Sequence, residues 1–443
     1  MHEIAGTARV TALLDLLAGR CAQERAEIER TAIAGLLDPA YYRARYPSVR
    51  ASGADPVTHF AERGWRELRR PCAEFDTAWY WSAHLDPAAD QVNPLVHYAL
   101  LGRDEGLASR APFPEPADAE RLPAGARRAV LFAGYDQDGV VDDTVLAYLA
   151  ELSRHADVFY LADGDLRAGE LARLDGVTVG AWSVRHGAYD FGSYSLLARE
   201  LVGWERLDAY DEVVLANDSC YLLGPLDDLF ATMSARPCAW WGLQGTERAA
   251  SPAYGASIEV MTSWHAAPVR ALIEPMPACD VPATVRDMFA RFPEQEFHVG
   301  SYFVALRRPV LRDETVRRFL SAVRVEARKV DIIERYEFGL TRLLVSRGHR
   351  LATFIEDLYP FHPVYSEWAF ELVQRGFPLL KRALLAENPF GVDLAHWQDR
   401  VRASAPDARI EDIETHLRRT VDAAGLAEAR SRRLSPLPTN GSA

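Results

Sequence analysis

With 443 residues, 49% of them hydrophobic and 26% charged, the chain has room for two or three domains, each able to bury its own core. A net charge of −13 without any long basic run argues against duplex nucleic acid as a partner. The five cysteines, at 21, 72, 220, 238 and 279, show no Cys-x-x-Cys spacing, which speaks against a disulfide framework or a zinc site and suits a reducing cytoplasm.

The N-terminus starts acidic and mixed rather than basic and then apolar, so no secretory signal is expected. No apolar run approaches the roughly 20 residues that span a bilayer. Residues 5–37 read as a helix with Val10, Leu13, Leu14 and Leu17 on one face. A repeat follows: Asp38, Ala40, Tyr42, Pro56, His59 and Gly64 recur 38 residues on as Asp76, Ala78, Tyr80, Pro94, His97 and Gly102. Each unit reads as a short aromatic helix, a loop, and a Pro-started helix closed by Gly. One His per unit, with no Cys or acidic partner at ligand spacing, points to a hydrogen-bonded core residue rather than a metal ligand. Residues 1–112 are therefore expected to form a small all-α repeat module, joined by a Pro-rich linker at 113–127 to the rest.

Beyond the linker, strands and helices alternate. Strands are expected at 129–133, 158–161, 177–182, 213–216, 239–243 and 299–306, with helices after 136, at 166–174, 193–206, 226–233, 313–328 and 332–346. That order predicts an α/β domain over 128–360 with a mostly parallel sheet and right-handed crossovers. Residues 245–297 have weak periodicity and read as a long excursion over the site. A C-terminal helical extension is expected over 361–430, and a disordered tail over 431–443.

Ligands of open α/β sheets bind outside the carboxyl ends of the strands, and four strand ends here are polar. They are Gly134-Tyr135-Asp136, Arg185 to Tyr194, Asn217-Asp218-Ser219, and His298 to Tyr302. In the second, Gly187 and Gly192 permit close backbone approach, Arg185 offers a fork that matches phosphate, and the helix behind it presents free N–H groups. A plain helix-capping loop, with Asp190 or Ser193 as the cap, is the alternative, and neither a dinucleotide fingerprint nor a Walker loop is present. The third can hold a divalent cation through Asp218, or can simply be a turn. Glu334 and Glu337 share one helix face, as candidate bases or as a solvated face with Arg335 and Arg342.

The stretches YDFGSY, DEVVLANDSCYLLGP, HVGSYFVAL and IIERYEFGLTRLL resemble the rhamnan synthesis protein F family, bacterial glycosyltransferases of surface polysaccharide assembly, over about 128–360. PLLKRALLAENPFGVD is similar to the segment that closes many such enzymes, and the 38-residue repeat resembles repeats attached to polysaccharide glycosyltransferases. The resemblance implies a GT-A-like sheet with helices on both faces and a nucleotide-sugar donor: dTDP-rhamnose, another deoxyhexose, or a GDP- or UDP-sugar. It also implies a growing glycan or lipid-linked oligosaccharide as acceptor, in the cytoplasm, either free, peripheral at the inner membrane, or within a polysaccharide assembly complex.

On that resemblance, donor contacts are expected from Gly134, Tyr135, Asp136, Arg185, Gly187, Asp190, Gly192, Tyr194, Asn217, Asp218, Ser301 and Tyr302. The base of an inverting transfer is expected to be Glu337, Glu334 or Asp190. A Mg2+ or Mn2+ ion would be held by Asp218 with Ser219 and His298. Asn217-Asp218-Ser219 would occupy the place of an Asp-x-Asp metal motif yet has one acidic residue, so Arg185 is an alternative source of positive charge. The same departure motivates a second reading, a catalytically silent sugar- or nucleotide-binding subunit.

Overall fold

In chain order the strands are β1 (Arg128–Gly134), β2 (Asp157–Ala162), β3 (Gly180–Ser183), β4 (Glu212–Asn217), β5 (Cys220–Leu222) and β6 (Trp240–Gly242). They continue as β7 (Gly245–Thr246), β8 (His298–Val299), β9 (Phe303–Arg307), β10 (Leu351–Thr353), β11 (Leu358–Tyr359) and β12 (Leu379–Lys381). The computed structural model describes residues 11, 13–15, 17–67, 69–85, 92–110, 116–246, 297–326, 329–359 and 362–431. The excursion expected between 247 and 296 and the tail from 432 lie outside the described residues.

Seven of these strands form one sheet of order β10-β6-β9-β4-β1-β2-β3. β4, β1, β2 and β3 run parallel, with Val214 opposite Val130 and Leu131 opposite Phe159. Central strands buried on both faces read as continuous apolar runs, and β1 from Ala129 and all of β4 are buried. β9 alone is antiparallel, with Phe303 opposite Ala216 and Trp241 opposite Ala305. Its direction reverses which residues matter: those just before β9, not those after it, stand beside the carboxyl ends of β4 and β6.

A buried charge cluster pins four adjacent strands at the opposite edge. Glu212, 1% exposed, accepts from Arg128 Nε at 2.9 Å, Arg307 Nε at 2.9 Å and Trp241 Nε1 at 2.8 Å. Arg307 also donates to the carbonyls of Met233 at 2.6 Å, Arg236 at 2.9 Å and Cys238 at 3.1 Å. A buried charge persists only when paired and hydrogen-bonded in this way.

Three expected helices take other forms. Residues 166–174 supply only a 3-10 turn, Leu171–Leu174, because Gly169 (φ 89°) breaks a stretch already too short to propagate a helix. The helix expected at 193–206 starts earlier, at Tyr189–Leu196, continues as a π-helical turn through Leu201, and is broken by Gly203 (φ 85°) before Trp204–Leu207. The helix expected over 5–37 is likewise interrupted, at Gly19 (φ 75°), and resumes as Ala22–Ala34.

The described chain divides into two compact units. One takes the described residues up to 116 together with 313–326 and 329–348; the other takes 117–246, 297–312 and 349–431. The first unit thus includes a segment that its sequence pattern places in the 128–360 domain. The reason is a buried ion pair within that unit: Asp76 binds both Arg70 and Arg342, and Trp79 Nε1 donates to Ser346 Oγ at 3.0 Å. Burial alone would raise the Asp76 carboxyl, but Arg342 and Arg70 hold it well below the usual carboxylate range.

Within the same unit the 38-residue spacing has a physical counterpart. Tyr42 Oη meets His59 Nδ1 at 3.1 Å, and Tyr80 Oη meets His97 Nδ1 at 2.8 Å. A Cβ on Gly64 or Gly102 would come within 2.2 and 2.0 Å of those two tyrosine hydroxyls, so each Pro-started turn can only close on glycine. The second unit's core takes in Trp397, Val401, Ile410, Ile413 and Leu417 alongside strands β1 and β4, which makes the C-terminal helices part of that core. No described helix is long and apolar enough to cross a membrane.

Candidate active site

At the carboxyl edge of the second unit's sheet, β4 ends in Asn217, and the chain turns through Asp218 and Ser219 into β5. The turn is self-supported, since Ser219 N and Oγ donate to Asn217 Oδ1 at 3.1 and 2.5 Å. Asn217 Nδ2 then donates to Asp190 Oδ2 at 2.9 Å, and Ser301 Oγ donates to the same oxygen at 3.2 Å. Three of the expected strand ends therefore converge on one carboxylate. The antiparallel run of β9 is what brings Ser301 there.

Asp218 Oδ2 accepts from the Tyr135 amide at 2.9 Å, which ties the end of β1 to the same cluster. Burial raises the Asp218 pKa, opposed by Arg382 and by the Tyr135 hydrogen bond. Tyr135 itself is 62% exposed, and Tyr189 is 44% exposed in a left-handed conformation (φ 56°) rare for a bulky residue. Gly187 (φ 67°) supplies the turn before it, and its amide and that of His186 both reach Asp163 at 2.9 Å.

Two cations complete the cluster, and the sequence pattern did not single them out as site residues. β12 pairs antiparallel with β5, Lys381 opposite Cys220, and the Arg382 amide donates to the Ser219 carbonyl at 3.0 Å. That pairing sets Lys381 Nζ 2.8 Å from Ser219 Oγ and 4.8 Å from the Tyr302 ring centroid. Arg382 Nη1 lies 3.7 Å from Asp218 Oδ2, and its Nη2 donates to Thr144 Oγ1 at 3.3 Å. A signal was present: Lys381 is one of only two lysines beside 48 arginines, and it stands in PLLKRALLAENPFGVD. Nothing in local periodicity could announce its partner 162 residues away.

Other expected donor contacts are engaged elsewhere. Asp136 is held by Arg419 Nη2 at 2.6 Å, and Arg419 also binds Asp138 at 2.9 Å and Asp142 at 3.0 Å. Arg185, 71% exposed, pairs with Asp165 at 2.7 Å and stands outside the hydrogen-bonded cluster. Tyr194 is buried and donates to the Ser301 carbonyl at 3.3 Å, so it positions Ser301 rather than facing a ligand. Tyr302 is buried too, its hydroxyl donating to Gln244 Oε1, while Gln244 Nε2 lies 3.3 Å from His362 Nδ1. Burial pushes the His362 pKa well below the ordinary imidazole value. Gly134 closes β1, and Gly192 packs against the His186 ring.

His186 Nε2 lies 2.9 Å from Ser193 Oγ and its Nδ1 3.5 Å from Asp163, which superficially resembles a hydrolytic triad. The Ala188 amide donates to Nδ1 at 3.2 Å, however, so that nitrogen is an acceptor and cannot present a proton to Asp163.

The expected metal set is not assembled as one. His298 Nδ1 pairs with Thr246 Oγ1 at 3.1 Å, its ring 5.5 Å from that of His362. Ser219 Oγ already receives Lys381, and Asp218 stands beside Arg382. Two unit charges about 4 Å apart interact by about 4 kcal/mol at an effective dielectric constant near 20. A divalent ion on Asp218 would feel about twice that repulsion from Arg382. As a three-ligand site these residues do not fit a metal. Glu334 and Glu337 belong to the first unit, on the π-helical turn Ile333–Phe338, where Glu337 is half-buried and the Glu334 side chain lies outside the described residues.

No curated protein matches the chain. Among solved structures, the mannosyltransferase Ktr4p of S. cerevisiae is 10% identical, with a TM-score of 0.29, covering 52% of this chain and 70% of its own. Core-mannan synthase A of Aspergillus fumigatus, in a Mn/GDP form, is 10% identical, with a TM-score of 0.29 and coverages of 56% and 82%. Glucosyl-3-phosphoglycerate synthase of Mycobacterium tuberculosis, with Mn2+, UDP and product, is 13% identical, with a TM-score of 0.22 and coverages of 54% and 71%. All three likenesses are distant. The family model described as rhamnan synthesis protein F matches residues 183–396, a span that starts later than the 128–360 over which the resemblance was expected and runs on through Lys381 and Arg382.

Proposed function

We propose that the protein is a glycosyltransferase that moves a sugar, rhamnose or another deoxyhexose, from a nucleotide-sugar donor to a growing bacterial surface glycan. The observation that carries the reading is a coincidence of place. The rhamnan synthesis protein F domain, 183–396, contains Asp190, Asn217, Asp218, Ser219, Ser301, Lys381 and Arg382, which the hydrogen-bond network links at one sheet edge. In a GT-A-like arrangement that edge is where a donor diphosphate and an acceptor hydroxyl would meet.

In this reading the acceptor oxygen attacks the anomeric carbon, the carbon–oxygen bond to the diphosphate breaks, and a carboxylate takes the hydroxyl proton. Asp190 is the base favoured here, because Asn217 and Ser301 both donate to one of its oxygens and so orient it. Glu334 and Glu337 are the other candidates. Exposed Tyr135 and Tyr189 offer faces on which a base or sugar can stack. A divalent cation, Mg2+ or Mn2+, would arrive with the diphosphate and be held by the donor, since Asp218, Ser219 and His298 are engaged by Arg382, Lys381 and Thr246.

The test is nucleoside diphosphate release from dTDP-, GDP- and UDP-sugars by the purified full chain, with and without Mn2+. Release from one class supports the transferase. Binding without release supports the silent subunit, which is favoured by the single acidic residue in Asn217-Asp218-Ser219 and the cation beside it. Neither binding nor release defeats both readings.

A further inference from the structure

We propose that Lys381 and Arg382 are the cations that bind the donor diphosphate, doing at this edge the work a metal ion would do. The inference deepens the transferase reading and rests on it for the presence of a nucleoside diphosphate.

Three observations point the same way. The β5–β12 pairing and the Arg382 amide bond to Ser219 fix both residues on backbone, at the turn where the donor is expected. Lys381 lies over the Tyr302 ring at 4.8 Å and within 5.8 Å of the Tyr365 ring, so its ammonium is stripped of part of its water while its carbon stem stays packed. Arg382 is 17% exposed; among the described residues its Nε is buried without a hydrogen-bond partner, and its paired carboxylate, Asp218, is at 3.7 Å, longer than a direct hydrogen bond. A guanidinium has five donors in a fork that matches phosphate, and this one has more donor capacity than its protein neighbours satisfy. An entering diphosphate would accept from Arg382 on one side and from Lys381 on the other.

The same geometry accounts for a single acidic residue in Asn217-Asp218-Ser219. With two protein cations at the turn, a second carboxylate would compete with the diphosphate for them. Asp218 then acts as a positioning residue that holds Arg382 and the Tyr135 backbone.

The experiment is calorimetric titration of the full chain with dTDP, GDP and UDP, and with the matching nucleosides, in excess EDTA. Lys381→Met, Arg382→Gln and Arg382→Lys are compared with the unsubstituted protein, each first checked for an unchanged unfolding transition. The expected result is binding of one nucleoside diphosphate in EDTA, weakened at least tenfold by Lys381→Met and by Arg382→Gln and partly restored by Arg382→Lys. Affinity for the nucleoside alone should be unchanged. Binding that requires Mn2+ and is within twofold of normal in Lys381→Met would overturn the proposal while leaving the transferase reading intact. Absence of binding to any nucleoside diphosphate, with or without Mn2+, would remove that reading and the proposal together.

Discussion

Asp218 is where stability and function pull in opposite directions. Its carboxyl is raised by burial, so folding favours the protonated form, and ionising it at neutral pH costs the fold. The sign follows: this residue's contribution is most favourable at acid pH and is lost as pH rises through its folded pKa. Asp218→Asn keeps an acceptor for the Tyr135 amide and removes that cost. The thermal unfolding midpoint of the variant, minus that of the unsubstituted protein, should therefore rise between acid and neutral pH. Turnover should fall by about 10²–10³, the usual loss when a charge-positioning contact in the transition state is removed. A variant that is fully active, or one whose relative stability falls with rising pH, would contradict this account. His416 has the opposite sign. Burial, followed by Arg382, pushes its pKa down to about 4, and its Nδ1 meets Tyr221 Oη at 2.7 Å. Its contribution is present above the ordinary imidazole pKa near 6.5 and is lost as pH falls toward 4, on the order of 3 kcal/mol in all. His416→Gln should flatten the acid limb of stability against pH, which denaturant melts at pH 7, 5.5 and 4.5 would register.

Among the elements, β9 and β12 decide the site, and each rests on a contact far away in sequence. β9 stays in register because Arg307 joins Glu212, Arg128 and the carbonyls around Met233 in a closed network. Removing Glu212 leaves the guanidinium groups of Arg307 and Arg128 without their carboxylate. Glu212→Ala should destabilise the second unit by roughly 3–5 kcal/mol, the cost of breaking a buried pair from one side. Glu212→Gln should cost less, because its amide oxygen still accepts one bond. Chemical denaturation of both variants measures the ordering, and equal losses would show that packing rather than charge pairing holds the strands.

At the scale of the molecule, the first unit combines the N-terminal repeats with residues 313–348, and Asp76 sits between Arg70 and Arg342 within it. A deletion of residues 1–112 therefore takes away the carboxylate that pairs buried Arg342, 8% exposed, and the indole that bonds Ser346. Such a truncation should be poorly soluble, with helix Glu314–Ser321 and helix Gly339–Ser346 stripped of their unit, rather than a clean transferase without its appendage. A soluble, cooperatively unfolding truncation would argue that 313–348 packs adequately without the repeats.

What the sequence determined by itself was whatever depends on neighbours along the chain. The continuous apolar runs at 129–133 and 213–216, too short for helices and bounded by polar residues, read as buried strands, and their alternation with amphipathic helices sufficed for a mostly parallel sheet. The 38-residue spacing likewise announced a recurring local unit, since Tyr, His and Gly meet within each copy. Tertiary structure alone decided the direction of β9, because a short apolar strand reads the same both ways, and with it which residues flank Asn217. It alone brought Lys381 and Arg382 to Ser219 and Asp218, through a three-residue pairing with β5 that no periodicity records. It also engaged Asp136 with Arg419, some 283 residues distant. Charge and hydrogen-bond partners at a sheet edge are chosen by the meeting of strand ends, and that meeting is a property of the folded chain.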